Sequence, residues 1–250
     1  MTKEEVNNTI YDQYGDKWYT AYDDPVALLR AESKIKNPWV ISKIRKYSES
    51  TKIDTEIQVL DVGCGGGFLS NSLAKEGFQV TAVDLSEESI RVAQRYDETQ
   101  SVKYLIADAY HLPFVAAQFD VITAMDFLEH VENPAEVIKE FSRVLKPKGL
   151  FIFHTFNRNW ISALIIIKAV EMLVKNTPKN LHVLRLFIKP AELTQYCSEA
   201  NLEVLEMTGI KPVFSSIPVK NVFTGLVPEQ LSFELCNSLK LSYMGYAQKS

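Results

Sequence analysis

Gln58-Val59-Leu60-Asp61-Val62-Gly63-Cys64-Gly65-Gly66-Gly67 is an apolar run that ends in a burst of glycine. Val59, Leu60 and Val62 have the composition of a buried strand, and a helical pattern through Leu69, Leu73 and Ala74 carries on to Gly77. A strand, a tight glycine turn and a helix let backbone N–H groups approach a ligand with no Cβ in the way. The first N–H groups of the helix have no intrahelical partner and add free donors. An ordinary strand-to-helix loop rarely needs four glycines in five residues merely to turn, so Gly63 to Gly67 read as a loop for a nucleotide-type ligand.

The flanking residues narrow the ligand. Gly63 and Gly65 fit the first two places of the dinucleotide fingerprint, but Phe68 stands where its last glycine belongs, and no Lys-Ser/Thr follows as in a phosphate-binding P-loop. Asp61 would repel a pyrophosphate and suits a cationic ligand end such as an ammonium. The next apolar run, Val80-Thr81-Ala82-Val83, ends at Asp84. A carboxylate at a second strand end, about 20 residues on, is placed to grip two ribose hydroxyls. Ribose, a cationic end and no phosphate together fit S-adenosylmethionine, and they disfavour a nicotinamide cofactor.

Leu60-Asp61-Val62-Gly63-Cys64-Gly65-Gly66-Gly67 resembles motif I of the class I methyltransferases, with Asp84 similar to their ribose-binding acid. Glu129-His130-Val131, Leu145-Lys146-Pro147, Asn157-Arg158-Asn159 and Phe187-Ile188-Lys189-Pro190-Ala191-Glu192-Leu193 narrow the resemblance to the ubiquinone-biosynthesis O-methyltransferase family. Motif I is shared by many methyltransferases; the later set, in this order and spacing, is far more specific. The resemblance implies an S-adenosylmethionine-dependent O-methyltransferase acting on a phenol or catechol hydroxyl of a polyprenylated quinone precursor. It also implies quinone-biosynthesis protein partners and a cytoplasmic enzyme peripheral on the inner face of the membrane. The alternatives are a methyltransferase for another small acceptor and a non-catalytic cofactor-binding scaffold.

The implied fold is α/β and doubly wound: a Rossmann-like seven-stranded sheet, mostly parallel with an antiparallel last strand, a helical N-terminal cap and an insertion after strand five. One domain over 1–250 divides into a cap (1–50), a cofactor-binding core (51–156), an apolar insertion (157–189) and a C-terminal helix, cover loop and last strands (190–250). The length, 250 residues, suffices for one large core, and 46% apolar with 23% charged residues is the balance of a soluble globular chain. A net charge of −4 gives no footprint for nucleic acid. Cys64, Cys197 and Cys236 lie far apart with no C-x-x-C, which argues against a disulfide framework or a structural zinc. Met1 to Glu5 lead into no apolar run, and their acids argue against a transit peptide.

From Ile57 to Phe156 strand and helix patterns alternate. Strands are expected at 57–61, 79–84, 102–107, 119–124 and 150–156, and helices at 68–76, 87–96 (Ser86 as N-cap) and 134–145. Near-continuous apolar strands alternating with helices argue for a parallel sheet covered on both faces, with ligands at the carboxyl ends of its strands. The expected cofactor residues all lie at or just past those ends: Asp61, Gly63, Gly65, Asp84, Leu85, Asp108, Ala109 and Met125. Asp108 can accept from the adenine amine or be an ordinary solvated loop acid; Leu85 and Ala109 can flank the ring. A thioether such as Met125 suits the sulfonium region.

Asp126, Glu129 and His130 share a face if their loop is helical. Two oxygens and a nitrogen can hold a divalent cation, and the family resemblance implies Mg2+ here, with Asp126 in place of the family's first Glu. The alternative is that Glu129 and His130 only orient the loop. For catalysis, His130 with Glu129 is the expected proton-removing pair. His182 is either packed or facing the acceptor, and His154, where the family has a small residue, ranks below both.

Upstream, Asn37-Pro38 is expected to break a helix, and the first 50 residues form either an edge cap or a lid over the cofactor. The family's cofactor arginine in this region corresponds to Val40, which leaves Arg30, Lys36 and Arg45 as candidates for its charge. Trp160 to Val174 is strongly apolar but too short to span a bilayer. It reads as a core helix, the wall of a lipid-tail tunnel, or an interfacial helix whose basic tail (Lys175, Lys179, Arg185, Lys189) extends a membrane contact over 160–189. Pro190 opens a helix to about Ala200, Leu202 to Met207 alternates as a strand, 209–233 reads as a covering loop or hairpin, and 240–246 as the last strand.

Overall fold

The computed structural model describes residues 7–51 and 56–250; the acidic start at Met1 to Glu5 lies outside the described residues. A single helical turn α1 (Lys17–Thr20) precedes the long helix α2 (Val26–Thr51). There follow β1 (Gln58–Val62), α3 (Phe68–Lys75), β2 (Gln79–Asp84), α4 (Glu87–Arg95), β3 (Lys103–Ile106), β4 (Phe119–Met125), α5 (Pro134–Val144) and β5 (Leu145–Phe156). A helical stretch is made of α6 (Trp160–Ser162), a π-helical segment (Ala163–Ala169) and α7 (Val170–Leu173). The chain ends with α8 (Pro190–Glu199), β6 (Leu202–Pro212), α9 (Val219–Thr224), β7 (Phe233–Cys236) and β8 (Ser242–Lys249).

The sheet order is β3-β2-β1-β4-β5-β8-β6-β7. Strands β1 to β5 pair in parallel, and β8 runs antiparallel between β5 and β6. This is the expected mostly parallel, doubly wound sheet with its antiparallel last strand, enlarged to eight strands. The eighth, β7, begins at Phe233, where the stretch read as a cover ends: it returns antiparallel along β6, pairing Ile210 with Leu235.

Side-chain alternation assigns each strand residue to a face. Val59, Val121, Leu150 and Ile152 pack with Val40 and Ile44 of α2 and Leu69 and Leu73 of α3. Leu60, Ile122, Phe151 and Phe153 turn the other way, against Val137, Ile138 and Phe141 of α5 and Leu193 and Cys197 of α8. By the same parity His154 falls on the α2 face and Thr155 on the α5 face. Ser86 caps α4, its hydroxyl accepting from Ser89 N at 3.1 Å.

Two sequence expectations are corrected. Helix α2 is not broken at Asn37-Pro38 but runs through Pro38. An internal proline costs about 3 kcal/mol. Val26, Ala27 and Ala31 before it and Val40, Ile44 and Tyr47 after it are all buried, and each large apolar side chain returns about 1.5–3 kcal/mol. Burial on both sides therefore outweighs the defect. The second correction concerns Trp160 to Val174, which is not a core helix: of its residues only Ser162 is buried, while Trp160 is 74% and Met172 81% exposed.

Candidate active site

A cavity of about 770 Å³ opens at the carboxyl ends of β1 to β4, and Asp61, Gly63, Gly65, Asp84, Leu85, Asp108, Ala109 and Met125 all line it. Gly63 (φ +68°) and Gly65 (φ +50°) adopt left-handed backbone. A Cβ on Gly63 would lie 2.4 Å from the Phe127 ring, and one on Gly65 2.7 Å from Trp18. Conformation and crowding thus both demand glycine. Gly63 N and Cys64 N donate to Val83 O at 2.9 and 3.1 Å, which ties the loop to the end of β2.

Asp84 joins two loops: Oδ2 accepts from Gly65 N at 2.8 Å and Oδ1 from Ser86 N at 2.9 Å. Burial pushes its pKa up despite these bonds. Asp61 is 3% exposed. Its Oδ2 accepts from Ser70 Oγ at 2.5 Å and its Oδ1 from Thr123 Oγ1 at 2.7 Å. Burial outweighs those hydroxyls and pushes its pKa up to about 6, so a cationic ligand end would favour the charged form. Asp108 is engaged locally, accepting from Tyr110 N at 2.9 Å.

Past β4 the chain makes a strained turn: Asp126 is a non-glycine residue at φ +54°. Its N donates to His154 O at 3.2 Å. Both its carboxylate oxygens accept from Lys36 Nζ at 2.7 Å, and Oδ1 lies 2.6 Å from His154 Nδ1. Lys36 also pairs with Glu32, one turn back on α2. Burial raises the pKa of Asp126, but Lys36 and His154 prevail and hold it well below the usual carboxylate range. Of the three candidate cations only Lys36 borders the cavity. Arg30 donates to the carbonyls of Trp18 and Ala21, and Arg45 pairs with Glu76.

The expected trio Asp126, Glu129 and His130 does not assemble as a metal centre. Asp126 turns to the α2 face, where both its oxygens meet Lys36. Glu129 is fully buried on the opposite face and accepts from Thr155 Oγ1 at 2.8 Å. Burial, then the charge of Asp126, pushes its pKa up to about 8, a neutral acid at pH 7. Glu129 does not line the cavity, so neither its catalytic nor its ligand role is supported. Among the described residues the acids and imidazole that do converge are Glu32, Asp126 and His154, and the Lys36 ammonium already serves them as cation. The donor set therefore does not fit a divalent ion.

His130 does line the cavity. Its Nδ1 lies 3.1 Å from Asn8 Oδ1 and its Nε2 3.3 Å from Tyr11 Oη. Burial lowers its pKa to about 4, which leaves it neutral. His182 stands behind it, rings 5.6 Å apart, packed on Phe156 and outside the cavity wall. Burial and His130 lower its pKa to about 3. His182 therefore props His130 rather than facing the cavity.

Sequence reading offered a lid over the cofactor among its alternatives but did not single out its cavity residues. Asn8, Tyr11, Asp12 and Trp18 line the cavity, and Tyr19 Oη donates to Gly66 O at 2.9 Å. Among the described residues, 8–19 therefore border the cavity and the glycine loop. The available signal was the density of Tyr11, Tyr14, Trp18, Tyr19 and Tyr22 in an otherwise polar stretch.

A family model described as a methyltransferase domain matches residues 60–153. The chain is 41% identical over 193 residues to the ubiquinone biosynthesis O-methyltransferase of Coxiella burnetii, covering 76% of this chain and 81% of that protein. It is 42% identical over 158 residues to the enzyme of the same name from Thiobacillus denitrificans, covering 61% and 67%. Among solved structures it resembles a SAM-dependent methyltransferase from Methanosarcina mazei (TM-score 0.56, 22% identity, 80% of this chain, 95% of that one). It also resembles magnesium protoporphyrin IX methyltransferase from Synechocystis with bound SAH (TM-score 0.57, 16% identity, 100% and 90%). At those identities the structures show the fold alone.

Proposed function

We propose, for a chain that belongs to the ubiquinone biosynthesis O-methyltransferase family, that it methylates a phenol or catechol hydroxyl of a polyprenylated quinone precursor. The observation that carries this reading is the single cavity lined both by the strand-end residues suited to S-adenosylmethionine and by a neutral, half-buried imidazole.

S-adenosylmethionine supplies a methyl group already activated on a cationic sulfur. The chain's own task is to align an oxygen nucleophile and remove its proton, and positioning supplies much of the acceleration. In this reading Asp84 holds the ribose: Gly65 N and Ser86 N keep the carboxylate in place, and its remaining lone pairs accept from the hydroxyls. Asp61 meets the cationic end, and Lys36 marks the polar wall beside Met125. His130 receives the phenolic proton. Glu129, neutral beneath the loop, supports the turn that presents His130.

Among the described residues no helix is long and apolar enough to cross a membrane. Trp160, Leu164, Met172 and Leu173 are nevertheless exposed large apolar residues on the stretch after β5, and Phe214 and Phe223 are exposed after β6. We infer that they meet the prenyl tail or the lipid that carries it, through the 160–189 region.

The test is transfer of a labelled methyl group from S-adenosylmethionine to a short-tailed polyprenyl catechol, read by mass spectrometry with and without a chelator. A mono-O-methylated product that persists in chelator is expected, because Lys36 serves as the cation at Asp126. Cofactor binding with no product would overturn the acceptor assignment. Loss of product in chelator and its return with Mg2+ would overturn the role given to Lys36.

A further inference from the structure

The N-terminal segment does more than cover the cavity. The Asn8 amide meets His130 twice: Nδ2 donates to the His130 carbonyl oxygen at 3.1 Å, and Oδ1 lies 3.1 Å from Nδ1. A carbonyl oxygen only accepts, so the first contact fixes which end of the amide is nitrogen. The amide oxygen then also only accepts, so Nδ1 must carry the imidazole hydrogen. A neutral imidazole has one N–H, which leaves the lone pair on Nε2. That atom is the one 3.3 Å from Tyr11 Oη.

Tyr11 is held for this task. Its ring meets that of His130 edge-on at 5.7 Å and stacks on Trp18 at 5.9 Å. Trp18 in turn lies against Gly65 and Gly66. One aromatic run thus spans from the cofactor loop to the imidazole, and Tyr11 and His130 both border the cavity. Burial, chiefly, raises the Tyr11 pKa, so the phenol keeps its hydrogen until an acceptor proton replaces it.

We propose that Tyr11 is a catalytic residue that relays the acceptor's proton to His130, with Asn8 as the positioning residue that fixes the receiving tautomer. This rests on the O-methyltransferase reading above. In the step, the acceptor O–H bond breaks and its proton joins Tyr11 Oη as the Tyr11 proton passes to His130 Nε2. The acceptor oxygen forms a bond to the methyl carbon, and the C–S pair returns to sulfur as a thioether. One cation, the sulfonium, is lost as another, the imidazolium, forms, so the charge in the cavity does not change. The imidazolium later gives its proton to water.

The experiment uses the full-length enzyme and two acceptors: a prenyl catechol that is protonated at the assay pH, and a nitrocatechol that is already ionised. Tyr11→Phe keeps the aromatic stack and removes only the hydroxyl. With the protonated catechol, kcat is expected to fall about 100-fold, within the usual range for a lost acid–base group, while KM and cofactor affinity hold within about twofold. With the ionised catechol the defect shrinks at least tenfold, because no proton needs to move. Asn8→Ala follows the same pattern with a smaller loss, and Asn8→Asp, which keeps an acceptor for Nδ1, recovers part of it.

An equal Tyr11→Phe defect with both acceptors would make Tyr11 a structural part of the lid and overturn the relay. So would a Tyr11→Phe enzyme of undiminished kcat on the protonated catechol. A wild-type enzyme that binds S-adenosylmethionine and methylates neither acceptor would overturn the O-methyltransferase reading, and the relay with it.

Discussion

The strand-end side of the cavity and the apolar stretch behind it are held on opposite terms. Asp61 and Asp84 are fixed by hydrogen bonds on both oxygens, and β1, which carries Asp61, is buried on both faces. Trp160 to Leu173 is helical with almost nothing buried, its apolar side chains half or fully exposed. The first region has its geometry set before any ligand arrives, as a site that must align reacting atoms requires. The second keeps unsatisfied apolar area, which suits contact with a partner, a lipid or a prenyl chain. A methyltransferase for a tailed substrate needs both properties, one for the reacting centre and one for the tail.

Substitutions on the two sides should therefore separate binding from stability. Asp84→Ala has the largest expected effect. S-adenosylmethionine affinity by calorimetry should fall about 100-fold, on the order of 3 kcal/mol for a paired charged acceptor. Unchanged affinity would remove Asp84 from the cofactor site.

Next comes the pH dependence set by Asp61. Its pKa of about 6 is raised above that of the unfolded chain. The charged form therefore prevails only above pH 6, and a ligand that needs that charge binds more weakly as pH falls. Affinity should drop about tenfold between pH 7 and pH 5, most of it below pH 6, since one proton competes with the ligand. In Asp61→Asn the dependence should disappear, and an unaltered profile would assign it to another group.

The smallest effect is expected from Trp160→Ser. Its side chain is 74% exposed, so stability to urea should move by no more than about 0.5 kcal/mol. Binding to vesicles of anionic lipid, or KM for a long-tailed acceptor, should worsen severalfold. A large loss of stability would mean that the stretch is core after all.

What was legible in the sequence follows the same division. Asp61 to Gly67 and Asp84 could be read because strand, turn and carboxylate are local features with fixed spacing. The antiparallel last strand was also legible, from the apolar run at its place. The eighth strand was not: Phe233 to Cys236 is held by its pairing with β6, a partner distant in sequence. Pro38 read locally as a break, yet long-range packing on both sides carries α2 through it. Asp126, Glu129 and His130 read as one face of a helix. The observed turn, with Asp126 at positive φ, sends the two acids to opposite faces of the sheet. Lys36 and Tyr11 reach the cavity from segments 90 and 119 residues away from their partners, contacts that no local pattern encodes.

The most direct test is a crystal structure with S-adenosylhomocysteine bound. The ribose hydroxyls should lie on Asp84, the adenine between Leu85 and Ala109 with its amine toward Asp108, the ammonium toward Asp61, and the sulfur beside Met125 on the His130 side. A ligand bound away from these strand ends, or a ribose without contact to Asp84, would contradict the assignment of the site.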